Sequence, residues 1–461
     1  MALATCVLAS ALPRAGEFEL TGVTDHVTIA HFRSINQHQI VISSDSGLIV
    51  LNSQWSETVA RECRAQIAEA LQRDDFIYNI NVIDQLDYLG GNAAFADIGI
   101  IGHESIKTKY GDEDQIESEV EHLIDVWQWK SGLAREELEE AEDDPGKRER
   151  VRGWLNQCER IIDELQSNFS FVPPTISYDD RIALNLGSIT LELIWFGKAG
   201  NYNGMTVIVI PEEKIAIVPS LILHSYHLAP YPFREYKDLD VPRWITVLEE
   251  LLESDHAVEQ VILDVIGEVH TNEWALPYLD YIRRLWNDVQ SAKVEGMNLE
   301  EVQDRLSLDR EYSFIKERPI YVDRGDDWTR NQHRDHVRLF YLQGVTRASE
   351  IIEASNDESV VESAVRIAER LQNGDDIYVD ERKINGLGYA FISRHLLEQA
   401  IAVLRLNVIA YPKSANAYDS LAEAFMKAGD RENAIENYRI SLELNPENAN
   451  AAEKLRILED G

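Results

Sequence analysis

The chain has 461 residues, of which 81 are acidic and 44 basic, a formal charge of −37. A surface this negative repels phosphate backbones unless a basic patch stands apart from it, and no such patch occurs, which speaks against a nucleic-acid partner. Cys6, Cys63 and Cys158 form no CxxC spacing, so neither a disulfide framework nor a thiolate zinc site is expected, and a reducing, cytoplasmic setting fits. The apolar run Met1 to Leu12 lacks a basic start and reads as no secretory signal. No run of about 18 uncharged apolar residues occurs, so no membrane span is expected.

In chain order, Gln39 to Ser53 reads as two strands joined at Ser46-Gly47, because β-branched residues flank a turn signal. Ser56 to Arg73 reads as a helix with Ser56 as N-cap and Val59, Cys63, Ile67, Ala70 and Leu71 on one face. Ile77 to Ile83 is a short buried strand. A tight turn at Gly90, Gly91 and Asn92 then leads into another helix and the strand ADIGIIGH, a βαβα rhythm that predicts α/β layers.

Between Asp112 and Glu164 there are 18 acidic and 7 basic residues with Trp127, Trp129 and Trp154 interleaved, a pattern of a helical hairpin broken near Asp144-Pro145-Gly146. It serves either as a solvated insertion or as an acidic docking surface. Strands return in ISYDDRIALNLGSITLELIWFG and in MTVIVIPEEKIAIVPSLIL, with a hairpin turn at Pro211 to Lys214. Helices at Val241 to Ser254 and Trp274 to Glu295 bracket the strand VILDVIGEVH.

The end of the chain repeats with a period of 34: Pro412 aligns with Pro446, Gly388 with Ala422, Phe391 with Phe425 and Ala400 with Ala434. Small residues at close-packing positions and large ones between them are what stacked helical hairpins need. This pattern resembles the tetratricopeptide repeat, clearest over 381–448. The stretch from about Asp335 to Gln372 is expected to complete the stack. The resemblance implies a protein partner or self-association.

The phrases VISSDSGLIVLNS, YNINVIDQLDYLGGNAAF, IGIIGHES, MTVIVIPEEKIAIVPSLIL and VILDVIGEVH together resemble the metallo-β-lactamase superfamily. The resemblance implies an α/β fold, an αββα sandwich over 17–310 with a helical insertion at about 112–166, followed by an all-α domain over 311–461. It also implies metal-bound hydrolytic water at one sheet edge. The family's HxHxDH motif falls on Ile83, Gln85, Asp87 and Tyr88. Its next histidine falls on Asn201, its bridging aspartate on Ser220, and its last histidine on Glu268 or His270.

An isoleucine, two amides and a serine do not replace three imidazoles and a bridging carboxylate, so no metal and no other cofactor is expected. Asp87, Tyr88, Glu268 and His270 are the candidate acid/base residues for a small-molecule substrate. Gln85, Asn201, Tyr202, Ser220, His224 and His227 are candidates to bind it. His103 reads as structural. Three functions remain open: a metal-independent cyclase, lyase or isomerase, a binding or scaffold protein, and a hydrolase with a rebuilt metal site using His224 or His227 with Asp87 and Glu268.

Overall fold

The computed structural model of the chain describes residues 18–32, 37–140, 144–167, 169–198, 204–219, 239–254, 257–264, 267–314, 326–373 and 377–460. Two compact units, Met1–Tyr341 and Leu342–Gly461, divide it. In the first, β1 (Phe18–Gly22), β2 (Val27–Phe32), β3 (Gln37–Ser43) and β4 (Leu48–Leu51) form an antiparallel meander. Helix α1 (Glu57–Leu71) starts where the Ser56 hydroxyl accepts the Val59 amide, and returns the chain to β5 (Phe76–Asn81), parallel to β4. Helix α2 (Leu86–Leu89), β6 (Gly99–His103), α3 (Glu104–Lys109), α4 (Glu113–Glu140), α5 (Pro145–Ser167) and β7 (Ile176–Tyr178) follow. The described strands β1 to β7 lie in sequence order in one sheet.

The second sheet is built from β8 (Arg181–Asn185), β9 (Thr190–Trp195), β10 (Thr206–Ile210), β11 (Ile215–Val218), β12 (Gln260–Leu263) and β13 (Glu268–Thr271). Its order is β13-β12-β11-β10-β9-β8, antiparallel except for β11 and β12, which α6 (Val241–Glu253) connects. Helices α7 (Asn272–Val294), α8 (Leu299–Arg305) and α9 (Asp326–Tyr341) end the unit.

Three apolar clusters fix the layers. Ile29, Ile40, Ile49 and Ile80 of the first sheet meet Leu193, Ile208, Ile217 and Ile262 of the second. The opposite face of the first sheet, with Val41 and Val50, packs on Val59 and Ile67 of α1, Trp127 of α4 and Ile161 of α5. The opposite face of the second, with Val207 and Val261, packs on Trp244 of α6, Leu279 and Ile282 of α7 and Phe340 of α9. The stacking is helix, sheet, sheet, helix. Alternate strand residues serve different layers, and each buried Val, Leu or Ile contributes about 1.5–3 kcal/mol.

The Gly90-Gly91-Asn92 turn is held by close approach. A Cβ on Gly90 would lie 2.2 Å from the Trp55 carbonyl oxygen, and one on Gly91 1.9 Å from that of Ser53. The fully buried Asn92 accepts through Oδ1 from Ser53 Oγ (2.8 Å), Asn79 Nδ2 (3.0 Å) and Asn81 Nδ2 (3.1 Å). Its Nδ2 donates to Asn81 Oδ1 (2.9 Å) and to the Val172 carbonyl (2.8 Å).

Among the described residues of the second unit, a short pair of strands, β14 (Thr346–Arg347) and β15 (Ile377–Tyr378), accompanies seven helices. These are α10 (Ala348–Glu353), α11 (Val360–Gln372), α12 (Glu381–Ser393), α13 (Leu397–Ala410), α14 (Ala415–Lys427), α15 (Arg431–Leu444) and α16 (Ala449–Asp460). Helices α12, α14 and α16 begin at Glu381, Ala415 and Ala449, each 34 residues after the last. Gly388 needs to be small because a Cβ there would stand 2.4 Å from Leu404 Cγ of α13.

Several sequence expectations change. VILDVIGEVH is two strands, because the chain turns back after Leu263 and β13 pairs antiparallel with β12. The helix expected after Gly91 is one 3-10 turn, Asn92–Phe95, and a single α-helical turn of the same length, α2, lies before the glycines. The boundary read near residue 310 falls after Tyr341, because Val337, Leu339 and Phe340 of α9 complete the first unit's outer cluster. Of the stretch 335–372, only the part that includes α10 and α11 enters the second unit's core, through Ala348, Ile352, Val360, Ala364 and Ile367.

Two predictions follow from this packing. Replacing Asn92 by Ala removes the partner of three buried polar side chains and a carbonyl, and should cost about 3–5 kcal/mol in urea unfolding. The second concerns His333. Its Nε2 donates to the Leu306 carbonyl (2.6 Å), so its Nδ1 accepts the Tyr281 hydroxyl (3.0 Å), while His336 Nδ1 donates to the same Tyr281 oxygen (2.8 Å). Burial pulls His333 from 6.5 down to about 4, so the unfolded chain binds the proton first. Its stabilisation is complete above about pH 6.5, and acidification from pH 7 to 5 should remove roughly 2 kcal/mol, a slope that His333→Asn should flatten.

Candidate functional site

The two sheets meet at the end where β4, β5, β11 and β12 finish. Asn52, in the left-handed region at φ 59°, ties that end together. Its amide donates to the Ile80 carbonyl (2.8 Å), its Oδ1 accepts the Val82 amide (3.1 Å), its carbonyl accepts Gln39 Nε2 (2.6 Å), and its Nδ2 donates to Asp264 Oδ2 across the sheets (3.3 Å). Thr206 donates its amide to the Val82 carbonyl (2.9 Å), a second link from the second sheet to the chain just past β5. Asp84 and Asp264 are both buried here. The Asp84 carbonyl holds Lys109 Nζ (3.0 Å) and the Tyr110 hydroxyl (2.9 Å), and Gly204 approaches so closely that a Cβ would sit 3.0 Å from Asp84 Cβ.

His38 stands opposite His31 in the β2–β3 register, the rings perpendicular at 4.9 Å. Gly267, at φ 66°, brings the β12–β13 connection to the His38 ring, leaving a Cβ there 3.2 Å away. Imidazole, carboxylates and an amide are therefore gathered at the same end of the sandwich, in an arrangement able to hold a polar ligand and exchange protons with it.

The sequence candidates distribute differently. Gln85 is the N-cap of α2, with Asp87 and Tyr88 in its single turn. Asp87 accepts Trp127 Nε1 of the insertion (3.2 Å). Burial raises its pKa, against the pull of Lys130, whose Nζ lies 3.8 Å over the Trp127 ring. Tyr88 packs against the helix-side cluster of the second sheet. Glu268 and His270 lie on β13 and pair with each other (2.9 Å), His270 stacking on Trp274 at 3.7 Å. They stand opposite Leu263 and Val261, whose side chains belong to the outer helical layer, so the pair faces α7 and not the space between the sheets. Among the described residues no hydrogen bond or ion pair joins Asp87 to Glu268 or His270. Asn201, Tyr202, Ser220, His224 and His227 lie outside the described residues. His103 stacks on Trp195 (4.8 Å) and bonds the Asp179 carbonyl (2.6 Å), and burial lowers its pKa.

Sequence reading passed over Asp84, Asp264 and His38. A signal existed for the first two, since each is an aspartate directly after the apolar end of a strand segment, in NVID and in VILD.

The metal that the family resemblance implies does not fit these residues. Ile83 is buried at 1% exposure in an apolar cluster, and Asp87 is committed to Trp127. Among the described residues no three His, Cys, Asp or Glu side chains form a group able to hold a metal ion.

No family model matches the chain, and no curated protein matches it. Among solved structures it is similar to a stereoselective inverting sec-alkylsulfatase from Pseudomonas sp., at 13% identity and a TM-score of 0.45, over 93% of this chain and 66% of that one. The chain thus spans about two thirds of the sulfatase's length. It is also similar to a metallo-β-lactamase from Pontibacter korlensis, at 15% identity and a TM-score of 0.37, over 58% of this chain and 99% of that one.

Asn52→Ala removes both amide bonds while leaving a Cβ in the left-handed region, and should lower stability by about 2–3 kcal/mol in denaturant titration. Asn52→Gly, relieved of that backbone cost, should lose less.

Proposed function

We propose that the chain is a metal-independent enzyme that acts on a small organic biosynthetic intermediate by acid/base chemistry, such as a cyclisation, elimination or isomerisation. The observation that carries this reading is the pair of buried carboxylates, Asp84 and Asp264, at the sandwich end where the resemblance would put metal ligands. Asp264 is oriented by the Asn52 amide. The Asn52 amide holds one Asp264 oxygen in place, and a carboxylate so positioned is a competent base for a carbon acid. Asp87, whose pKa burial raises, is the complementary acid. Tyr88, Gln85, Asn201, Tyr202, Ser220, His224 and His227 are proposed to contact substrate, while Glu268 and His270, which face α7, are left out of the acid/base set.

A second reading is a binding or scaffold protein. The 34-residue spacing of α12, α14 and α16 favours it, since tetratricopeptide-like hairpins would offer a protein partner or a second copy a surface.

Metal analysis and mutagenesis test the proposal together. The purified protein should carry less than roughly a tenth of an equivalent of zinc, iron or manganese. On any substrate found by thermal-shift and turnover screening of small carbonyl compounds, Asp264→Asn should reduce turnover by about 10² or more while stability changes little. One or two equivalents of metal surviving a chelator, or wild-type turnover in Asp264→Asn, overturns it.

A further inference from the structure

The opposite end of the sandwich, where the turns after β1, β8 and β10 converge, carries a second arrangement of reactive groups. His26 sits in the β1–β2 turn, Ser188 in the β8–β9 turn and Glu213 in the β10–β11 turn. His26 Nδ1 is 2.6 Å from Glu213 Oε1, and His26 Nε2 is 3.3 Å from Ser188 Oγ. Glu213 is fixed on both oxygens, since Oε2 accepts the Thr24 hydroxyl and Oε1 also accepts the His26 amide (3.2 Å). The Thr24 hydroxyl oxygen in turn accepts the Val27 amide (2.9 Å).

In the neutral imidazole these contacts set the tautomer. A carboxylate accepts, so Nδ1 of His26 carries the proton and donates it to Glu213. Nε2 then presents its lone pair to Ser188, whose hydroxyl donates to it. A serine hydroxyl, an imidazole base and a half-buried carboxylate that orients the imidazole form the nucleophile, base and orienting group of acyl transfer, recognised by geometry and not by chain order. The Glu213 side chain is 11% exposed, whereas Ser188 lies on the surface and is open to a substrate.

From this geometry we infer that Ser188, His26 and Glu213 form a second reactive centre, able to take an acyl group from an activated, uncharged aryl ester. The substrate class follows from what surrounds the serine. The Ser188 amide donates to Asp45 Oδ2 (2.8 Å), so it does not stabilise an oxyanion, and only a substrate with a good leaving group reacts. Asp45 and Glu212, whose carboxylate accepts the Thr190 amide (3.1 Å), repel anionic acyl donors.

In the step itself Ser188 Oγ bonds to the ester carbonyl carbon as its proton passes to His26 Nε2. The carbon–oxygen bond to the phenol then breaks and the imidazolium protonates the departing oxygen. Water, deprotonated by the same Nε2, hydrolyses the acyl-serine and regenerates the hydroxyl. This centre is independent of the carboxylates at the other end, and its failure would leave the proposed function untouched.

The test is labelling of the full-length folded protein with a neutral fluorophosphonate, followed by peptide mass spectrometry, beside a p-nitrophenyl acetate burst assay read as an acetyl adduct. The label should fall on Ser188 and vanish in Ser188→Ala, an exposed position where folding is unaffected. His26→Ala should slow labelling by about 10²-fold, with partial rescue by added imidazole, and Glu213→Gln should slow it without unfolding the turn. Ser46→Ala, a turn serine outside this hydrogen-bonded set, should label as the parent does. Labelling at another residue, no labelling beyond that of the denatured chain, or an unchanged rate in both His26→Ala and Glu213→Gln overturns the inference.

Discussion

The first unit depends on one buried amide. Asn92 joins four segments distant in sequence: the loop after β4 through Ser53, two positions of β5 through Asn79 and Asn81, its own turn, and the chain before β7 through the Val172 carbonyl. No backbone ladder could do this, because the groups approach from different directions, and an apolar residue would take their shared partner away in a medium where such losses are costly. The two glycines beside it are required for the same reason, since carbonyls of the β4–α1 loop occupy the space a Cβ would need. A Gly-Gly-Asn turn is therefore kept for the fold, whatever the neighbouring side chains do chemically.

The turn does not fix the chemistry of the residues beside it. Ile83 lies in the apolar cluster of the second sheet, and Asp87 accepts a hydrogen bond from the tryptophan of the helical insertion. The buried carboxylates at this sheet end belong to Asp84, the residue after Ile83, and to Asp264 on the facing sheet. Asn52 compensates part of the cost of burying Asp264 by a direct hydrogen bond and joins the sheets by the same atoms. Asn52 therefore serves the fold and the candidate site at once, through Val82 on one side and Asp264 on the other.

Local signals were legible and long-range ones were not. The Ser56 cap, the Ser46-Gly47 and Pro211 to Lys214 turns and the break before Pro145 are decided by a few adjacent residues, and they stand where the sequence places them. The β12–β13 reversal was hidden because both strands read as one apolar stretch, a pattern that periodicity cannot divide. The sequence groups α9 with the repeats, whereas its Val337, Leu339 and Phe340 pack in the first unit, because amphipathicity specifies a face to be buried and says nothing of which core receives it. Glu268 and His270 were expected to face a pocket, yet a two-residue spacing on a strand put both on the helical side, where they satisfy one another.

The Ser188, His26 and Glu213 arrangement lay beyond any motif search, since its members are 162 and 187 residues apart. What brings them together is turn chemistry on a rigid frame. Gly187 at φ 93° lets the β8–β9 turn close against Asp45, and Lys214 at φ 52° ends the short 3-10 turn that holds Glu213. Facing sheets deliver such turns to a common end whenever their strands are of similar length. A two-sheet sandwich therefore offers two opposite ends at which distant residues converge, and side chains at one end can take up new chemistry while the other carries its own.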